Sequence, residues 1–189
     1  CSNVELWQRK TGRKAAPDIS DNAAVRYGHD AEPLIRQLFS LDYADKYVVE
    51  YGGAFDMVRH PQHPFIFATL DGRLTEVKTG RKGILEIKTT SILRSMQKEK
   101  WWKDGKPAIP DQYYCQVLWQ MIASGFDFAV LHAQFRYEYG EEPRFERRTY
   151  TIERSEVADD LAYLEAAGVK FWTENVMGGR EPDLILPEI

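Results

Sequence analysis

The sequence has few cysteines, no long apolar run and no excess of positive charge, and each of these features excludes a class of protein. Its two cysteines, Cys1 and Cys115, do not form a disulfide framework, so a reducing cytoplasm is expected. Its apolar runs fall far short of the about 18 residues that a membrane helix needs. The first ten residues lack the apolar segment of a secretion signal. The chain also begins without a methionine, which predicts a fragment of a longer protein.

The formal net charge of −4 argues against a simple nucleic-acid coat protein, because phosphate binding depends on lysine and arginine. Basic residues are nevertheless grouped in three places. These clusters are Lys78 with Arg81 and Lys82, Lys98 with Lys100 and Lys103, and Arg144 with Arg147 and Arg148. Such a cluster is more often a solvated face than a phosphate site, but together the three permit a basic channel.

Short β-rich segments dominate residues 46–90. They are KYVVEY, AFDMVRH, PFIFATLD and ILEIKTT, and the turn TGRKG separates the last two. Two further strands, DFAVLHAQFRY and RFERRTYTIE, follow later in the chain. Because helical segments precede, interrupt and follow these strands, the order of elements predicts one mixed α/β domain over residues 1–189.

Three stretches show helical periodicity. The first runs from about residue 20 to residue 40, and Pro33 within it predicts a kink or two helical pieces. Its apolar stripe is Gly28, Ala31, Ile35, Leu38 and Phe39, and Glu32 lies on the same stripe. The second stretch covers residues 110–124 and the third runs from about residue 155 to the glycines at 178–179. Between the first two, the Trp- and Lys-rich segment around Trp101 is predicted to be helical and then a loop.

The segment GILEIKTT places two opposite charges on a strand that otherwise looks buried. Side chains alternate along a strand, so Glu86 and Lys88 share one face while Leu85 and Ile87 share the other. An unpaired buried charge is costly. The pattern therefore indicates either an ion pair on the surface or a metal-dependent active site.

Asp71 completes a candidate metal site. It ends the predicted strand FIFATLD, and a hairpin with the next strand would bring it to Glu86 and Lys88. Mg²⁺ prefers carboxylate and carbonyl oxygens, which Asp71, Glu86 and the backbone carbonyl of Ile87 provide. Lys88 would orient or deprotonate a metal-bound water. The sequence therefore predicts that the strand GILEIKTT carries half of a phosphodiesterase site.

The Asp…Glu-x-Lys signature resembles that of the PD-(D/E)xK nuclease superfamily. More narrowly, the chain resembles the YqaJ-type viral recombinase family, whose best-known relative is the bacteriophage lambda exonuclease. The resemblance extends over nearly the whole chain. The segments that carry it are ELWQRKTG, GHDAEPLIRQLF, ATLDGRL, ILEIKTT, IPDQYYCQVLWQMIASG, VKFW and GGREP.

The resemblance implies a restriction-endonuclease-like fold with a central mixed β-sheet flanked by helices. Asp71 and Glu86 correspond to the metal-binding carboxylates, and Lys88 corresponds to the catalytic lysine. Glu32 resembles the helical acid that reaches a second metal ion or a metal-bound water. Gln116 resembles the glutamine that positions the lysine, the water or the terminal phosphate.

The resemblance also implies an activity and its partners. Family members hydrolyse linear duplex DNA from the 5′ end with Mg²⁺, for which Mn²⁺ is a candidate substitute, and leave a 3′ strand for an annealing protein. They often form rings, some of them trimeric, and a phage or prophage origin in a bacterial cytoplasm is expected. The chain lacks the family's N-terminal arginine and Gly-Gly-Ser-Asp-like loop, which predicts a missing segment and leaves end recognition and polarity open.

Other functions and residue roles remain open at this point. A structure-specific or restriction-type endonuclease and an inactive DNA- or partner-binding module are the two alternative functions. Candidate DNA-binding residues are Tyr113, Gln120, Arg81, Lys82, Trp101 and Trp102, although packing is the favoured role for the aromatic residues among them. Glu32 and Gln116 would also fit the surface of a helix.

Several other reactive residues are predicted to have no part in the chemistry. The second Glu-x-Lys, Glu76 to Lys78, is expected to be solvated in a turn. Cys115 is expected to be a small buried residue. The histidines lack metal-ligand spacing and are predicted to be structural or at the surface; they are His29, His60, His63 and His132.

Overall fold

A computed structural model describes residues 2–92, 100–103, 106–137 and 142–185. The helices are α1 (Asn3–Lys10), α2 (Ala23–Asp42), α3 (Asp111–Ser124) and α4 (Ala158–Lys170), and a π-helical segment (Phe171–Met177) continues α4. The strands are β1 (Tyr47–Glu50), β2 (Met57–Arg59), β3 (Phe67–Thr69), β4 (Gly72–Glu76), β5 (Lys82–Ile92), β6 (Trp102–Lys103), β7 (Lys106–Pro107), β8 (Phe128–Tyr137) and β9 (Arg144–Glu153). Within these ranges no helix has the length and apolar character needed to cross a membrane.

A five-stranded mixed sheet forms the centre of the molecule. Its strand order is β1-β4-β5-β8-β9, with β5 and β8 parallel and the other neighbours antiparallel. The pairs β2-β3 and β6-β7 form separate two-stranded sheets. The chain passes from β5 to the parallel β8 through α3, as the crossover between parallel strands requires. The predicted mixed sheet flanked by helices is confirmed.

Each face of the sheet is covered by helices. On one face Leu85 and Ile87 of β5 join a buried cluster with Ile35 and Phe39 of α2. On the other face Ile84 belongs to a cluster formed with α3 and α4. Because β5 is covered on both faces, its central residues 83–87 are apolar apart from Glu86, and a charge there is conspicuous.

The predicted helices and late strands agree closely with the structure. Helix α3 ends at Gly125, whose φ of +71° is the left-handed conformation that glycine adopts readily, and its N–H donates to the Met121 carbonyl. The predicted strand at Phe128–Tyr137 and its partner Arg144–Glu153 are both present. The last helix is also present, although its end at Phe171–Met177 has π-helical geometry that the sequence did not predict.

The first long helix differs from the prediction in two ways. Of the two predicted outcomes, a kink or two helical pieces, the division into two pieces is wrong, because helix α2 runs through Pro33 as one segment. A proline inside a helix removes one backbone hydrogen bond, and burial of Ala31, Ile35 and Phe39 on either side of Pro33 offsets that loss. Leu38 was expected on the buried stripe, but 42% of its surface is exposed.

The strands that precede β5 also differ from the prediction. Strand β3 ends at Thr69 and pairs with β2, not with β5. The partner of β5 in the hairpin is β4, Gly72–Glu76, which the sequence pattern did not single out. The Trp-rich segment contributes a short strand, Trp102–Lys103, where a helix followed by a loop was predicted. The remainder of that predicted helix, including Lys98, lies outside the described residues, as does Cys1.

Candidate active site

Asp71 lies in the bend between β3 and β4, beside the middle of β5. Gly72 is paired with Leu85 in the β4-β5 ladder, which places Asp71 next to Glu86. One carboxylate oxygen of Asp71, Oδ2, accepts the backbone N–H of Ile87 at 2.8 Å. The expected convergence of Asp71 with the charged strand is therefore present, although a different strand pair produces it.

Glu86 is 1% exposed and receives three donors. Its Oε1 lies 2.5 Å from the Lys88 ammonium and 2.7 Å from the Gln116 Nε2 amide nitrogen. Its Oε2 lies 2.5 Å from the Gln120 Nε2 amide nitrogen. The alternative of a surface ion pair is wrong, because this carboxylate is buried and each of its oxygens accepts a hydrogen bond.

Lys88 lies between the Glu86 carboxylate and the ring of Tyr113. Its side chain is 19% exposed, and its Nζ lies 5.1 Å from the centre of the Tyr113 ring. The Tyr113 ring packs on Trp101, with the ring centres 5.4 Å apart. Contact with a cation on one side and an aromatic core on the other favours packing as the role of Tyr113.

The carboxyl group of Asp71 has an unusual electrostatic environment. Burial raises the pKa of Asp71 to about 7, and the nearby charges of Glu86 and Glu32 act in the same direction. The Ile87 N–H and the Lys88 ammonium oppose this effect only in part. Two neighbouring buried carboxyl groups whose repulsion the surrounding donors offset only in part are the donor set that a hard divalent cation would stabilise.

Glu32 approaches this centre from α2 and is tied to Arg36. The Arg36 guanidinium lies 3.2 Å from Glu32 Oε1, one helical turn away. The same guanidinium donates to the backbone carbonyl of Asp71 at 2.8 Å and lies 3.5 Å from the centre of the Tyr51 ring. The structure therefore brings together the five side chains predicted as catalytic: Asp71, Glu86, Lys88, Gln116 and, through Arg36, Glu32.

Arg36 is a site residue that sequence reasoning missed. It is 7% exposed, which is unusual for arginine, and it links α2 to the bend that carries Asp71. A signal was present in the sequence, because Arg36 follows Glu32 by four residues and both lie near the apolar stripe of α2. A buried basic residue was not expected on that stripe.

Replacement of Arg36 by alanine is expected to destabilise the protein by about 3 kcal/mol. The change leaves the Asp71 carbonyl and the Glu32 carboxylate without a buried charged partner. Urea unfolding monitored by circular dichroism measures the effect. Arg26→Ala, an exposed position on the same helix, is the matched control and should change stability by less than about 0.5 kcal/mol. Equal stability of the two variants would contradict the linking role of Arg36.

Two predicted DNA-binding residues are buried instead. Gln120 is 3% exposed and donates to Glu86 and to the Thr69 carbonyl, so it supports the carboxylate and does not face DNA. Trp101 is 2% exposed and is packed against Tyr113 and two further aromatic rings, so the packing alternative is correct for it. Its ring has no open face on which a base could stack.

The other DNA-binding candidates have their contacts outside the cluster of Asp71 and Glu86. Arg81 forms ion pairs with Glu76 and Glu153 at the β4-β5 turn. Lys82 is exposed at the start of β5, about 13 Å along the strand from Glu86 at 3.3 Å per residue. Trp102 is half-buried beneath the Arg148 guanidinium, which lies 4.9 Å from its ring centre. Arg81 and Lys82 therefore lie at the turn end of the β4-β5 hairpin, and the observed contact of Trp102 is with Arg148.

Residues predicted to lie outside the chemistry show two further corrections. Cys115 is exposed on α3, not buried. His60, His63 and Glu165 each place one ligand atom within 4.8 Å of the others, a proximity that the sequence spacing did not indicate. His60 Nδ1 accepts two backbone N–H groups, its Nε2 lies 3.4 Å from Glu165 Oε1, and its ring stacks on that of His63. We interpret this group as support for the loop between β2 and β3.

His132 agrees with the structural role predicted for it. It is 2% exposed on β8, and its Nδ1 is 2.8 Å from the Thr149 hydroxyl. Burial lowers the pKa of His132 to about 4, and the Arg147 charge acts in the same direction. The imidazole is therefore neutral at physiological pH and belongs to the packing between α2 and the sheet.

The sequence of this chain matches a known protein family. The model of the YqaJ-like viral recombinase domain matches residues 1–127. The uncharacterized protein YqaJ of Bacillus subtilis strain 168 is 30% identical over 185 residues, which cover 95% of this chain and 50% of that protein. The chain thus spans about half the length of this curated relative.

Solved structures show the same fold. Two crystal structures of LHK-Exo, an alkaline exonuclease from Laribacter hongkongensis, match this chain with TM-scores of 0.56 and 0.54. The first of them is a complex with dAMP. The sequence identities are 20% and 21%, and each match covers 91% of this chain and 78% of the other. At this level of identity the similarity establishes a shared fold.

Proposed function

The chain belongs to the family of YqaJ-like viral recombinase domains, and from this premise we propose that it is a divalent-metal-dependent deoxyribonuclease of the PD-(D/E)xK type. One observation carries the proposal. Asp71, Glu86 and Lys88, which are separated by a hairpin in the sequence, meet at one point, and Glu86 is buried there with three donors around it. A structural role alone does not explain why two carboxylates are placed together at a cost in electrostatic free energy.

The chemistry of the donor set fits a hard cation. Asp71, Glu86 and the carbonyl of Ile87 would hold Mg²⁺, or Mn²⁺ in its place, and Glu32 would support it or a second ion. The raised pKa of Asp71, caused first by burial and then by Glu86, is the property that a bound cation would reverse. When bound, such a cation supplies Lewis acidity to the attacking water and to the scissile phosphate.

The protein's own residues perform the other tasks. Lys88 has its ammonium 2.5 Å from Glu86, where it would orient the attacking water and offset charge on the phosphate. Gln116 and Gln120 donate to different oxygens of Glu86 and so hold the plane of its carboxylate. Arg36 holds the backbone of Asp71 from the opposite side. These contacts would preorganise the site before substrate arrives.

We assign linear duplex DNA as substrate and 5′-to-3′ exonucleolytic digestion as the activity. The family resemblance supports both assignments, as does the shared fold with an alkaline exonuclease crystallised with dAMP. On this proposal the product is a 3′ single strand that an annealing protein uses in recombination. The same resemblance implies a ring-shaped homo-oligomer, which has three subunits in some family members, and a cytoplasmic location in a bacterial host.

Digestion of end-labelled linear duplex tests the proposal. The substrates carry either a 5′ phosphate or a 5′ hydroxyl, and the reactions contain Mg²⁺, Mn²⁺ or EDTA. A covalently closed circle of the same sequence serves as the control. The expected result is stepwise loss from phosphorylated 5′ ends, no loss in EDTA and an intact circle.

Other outcomes separate the alternatives. Cutting of the closed circle would replace the exonuclease assignment by a restriction-type or structure-specific endonuclease. Digestion in EDTA would overturn the metal dependence. A folded protein that binds duplex but does not cut it with either metal would overturn the assignment of catalysis to this chain and favour a binding module.

A further inference from the structure

Phe55 has an unusual environment for a large apolar side chain. It is 90% exposed, more than any other large apolar side chain among the residues that the structure describes. Phenylalanine is among the residue types most often buried in proteins. Phe55 occupies the tip of a turn in which the N–H of Asp56 donates to the carbonyl of Gly53 at 3.0 Å. The turn displays the ring to solvent.

The segment that carries Phe55 is firmly anchored. The Asp56 carboxylate is bound by two nitrogens of Arg73, at 2.8 and 2.5 Å. Gly52 packs so closely on Asp56 that an added Cβ would lie 2.5 Å from the Asp56 Cγ atom. At the start of the segment Tyr51 stacks on Arg36. A two-point ion pair and close packing restrict the positions that the turn can adopt, so the exposure of Phe55 is a fixed feature.

The same segment lies next to the candidate active site. The Asp56 carbonyl accepts the N–H of Leu70 at 3.1 Å, and Leu70 directly precedes Asp71. Consecutive Cα atoms are 3.8 Å apart and a bonded strand pair adds about 5.5 Å, so the Cα atoms of Phe55 and Asp71 lie at most about 13 Å apart. This distance corresponds to roughly four base pairs of duplex DNA at 3.4 Å each.

We infer that Phe55 stacks on a base of the DNA substrate within a few nucleotides of the scissile phosphodiester. The inference rests on the proposed nuclease function. A terminal or unpaired base offers a flat aromatic face whatever its identity, so one phenyl ring would hold the end of DNA of any sequence. Arg81, a basic residue of the β4-β5 turn, is paired with two carboxylates, so its charge is already balanced within the protein.

Binding of duplex by the full chain tests the inference without turnover. Fluorescence anisotropy in EDTA measures the Kd for an end-labelled duplex, and 2-aminopurine placed at successive positions from the end reports the stacking of each base. Phe55→Ala is expected to raise Kd at least about fivefold, as loss of one base–aromatic contact implies, and to remove the position-dependent change in fluorescence. Phe55→Trp should restore both. Tyr163→Ala, at a 79% exposed aromatic position on α4, is the matched control and should bind as the unaltered protein does.

Each other outcome has a definite meaning. Equal Kd values for Phe55→Ala and the unaltered protein, or failure of Phe55→Trp to improve on Phe55→Ala, would overturn the inference while leaving the nuclease proposal intact. Loss of self-association by Phe55→Ala in sedimentation velocity, in proportion to the lost binding, would assign the ring to a protein interface and also overturn it. If the unaltered protein neither binds nor digests duplex, the proposed function fails first and the inference fails with it.

Discussion

Replacement of Lys88 by alanine is expected to lower the turnover of linear duplex by about 10³-fold. The ammonium of Lys88 lies 2.5 Å from the Glu86 carboxylate, where it would act on the attacking water. Folding should persist, because Glu86 keeps its hydrogen bonds from Gln116 and Gln120. Single-turnover digestion with excess protein measures the chemical step, and anisotropy in EDTA measures DNA binding.

Lys82→Ala is the control for this experiment. Lys82 lies on the same strand but is exposed, and its ammonium bonds the Thr75 hydroxyl at 2.7 Å. This variant should retain turnover within about threefold, because its charge lies too far from the reacting groups to act on them. A Lys88→Ala variant that digests duplex at the rate of the Lys82→Ala variant would remove Lys88 from the mechanism.

Asp71→Asn is expected to abolish digestion and at the same time to stabilise the metal-free protein at pH 8. Burial and the Glu86 charge raise the pKa of Asp71 to about 7 from an ordinary value of 3.8. When the pKa of a carboxyl group is higher in the folded state than in the unfolded state, the free energy of unfolding falls as pH rises between the two pKa values, here from about 4 to 7. The reason is that the group ionises more easily in the unfolded chain. Asparagine has no charge to bury, and its amide oxygen can still accept the Ile87 N–H.

The expected gain in the free energy of unfolding is of the order of 2 kcal/mol at pH 8 in EDTA. Each pKa unit is worth about 1.4 kcal/mol, but part of this is lost because a neutral oxygen accepts a weaker hydrogen bond than a carboxylate does. The gain should shrink to near zero below about pH 4, where Asp71 is protonated in both states. Urea unfolding across this range gives the curve, with exposed Asp45→Asn as control. If the Asp71→Asn variant is less stable than the unaltered protein at pH 8, the ionised Asp71 carboxylate does not lower the free energy of unfolding in the absence of metal.

The charged residues of the site could be predicted because each contradicts its local pattern. Glu86 and Lys88 interrupt an apolar strand, and Glu32 interrupts an apolar helical stripe. Such interruptions are expected at functional sites, so they indicated these residues. Their meeting with Asp71 was predicted from a hairpin, although the strand that pairs with β5 is β4 and not the strand that precedes Asp71. The buried position of Glu86 and its contact with Lys88 agree with that reasoning.

What could not be predicted depends on contacts between elements that are distant in the sequence. Arg36 is recognised as a site residue only once α2 is placed over the bend at Asp71, 35 residues later. Strand β4 was missed because GRLTE contains a glycine and two charged residues, and its pairing on both sides overrides that weak local propensity. Trp101 could be placed in the core or on DNA from its sequence, and only the packing of Tyr113 against it decides.

The crossover from β5 to β8 determines when, during folding, the site is completed. The β4-β5 hairpin needs only residues 72–92, whereas pairing of β5 with β8 must close a loop of more than thirty residues, which slows its formation. Helix α3, which carries the two glutamines that bind Glu86, lies within that loop. A chain still emerging from the ribosome would therefore hold its acidic pair together before the amide donors dock, and pulsed hydrogen exchange should protect β4-β5 amides before those of β8. The Glu86 carboxylate would then acquire its two amide donors only after residue 137, the end of β8, has been synthesised.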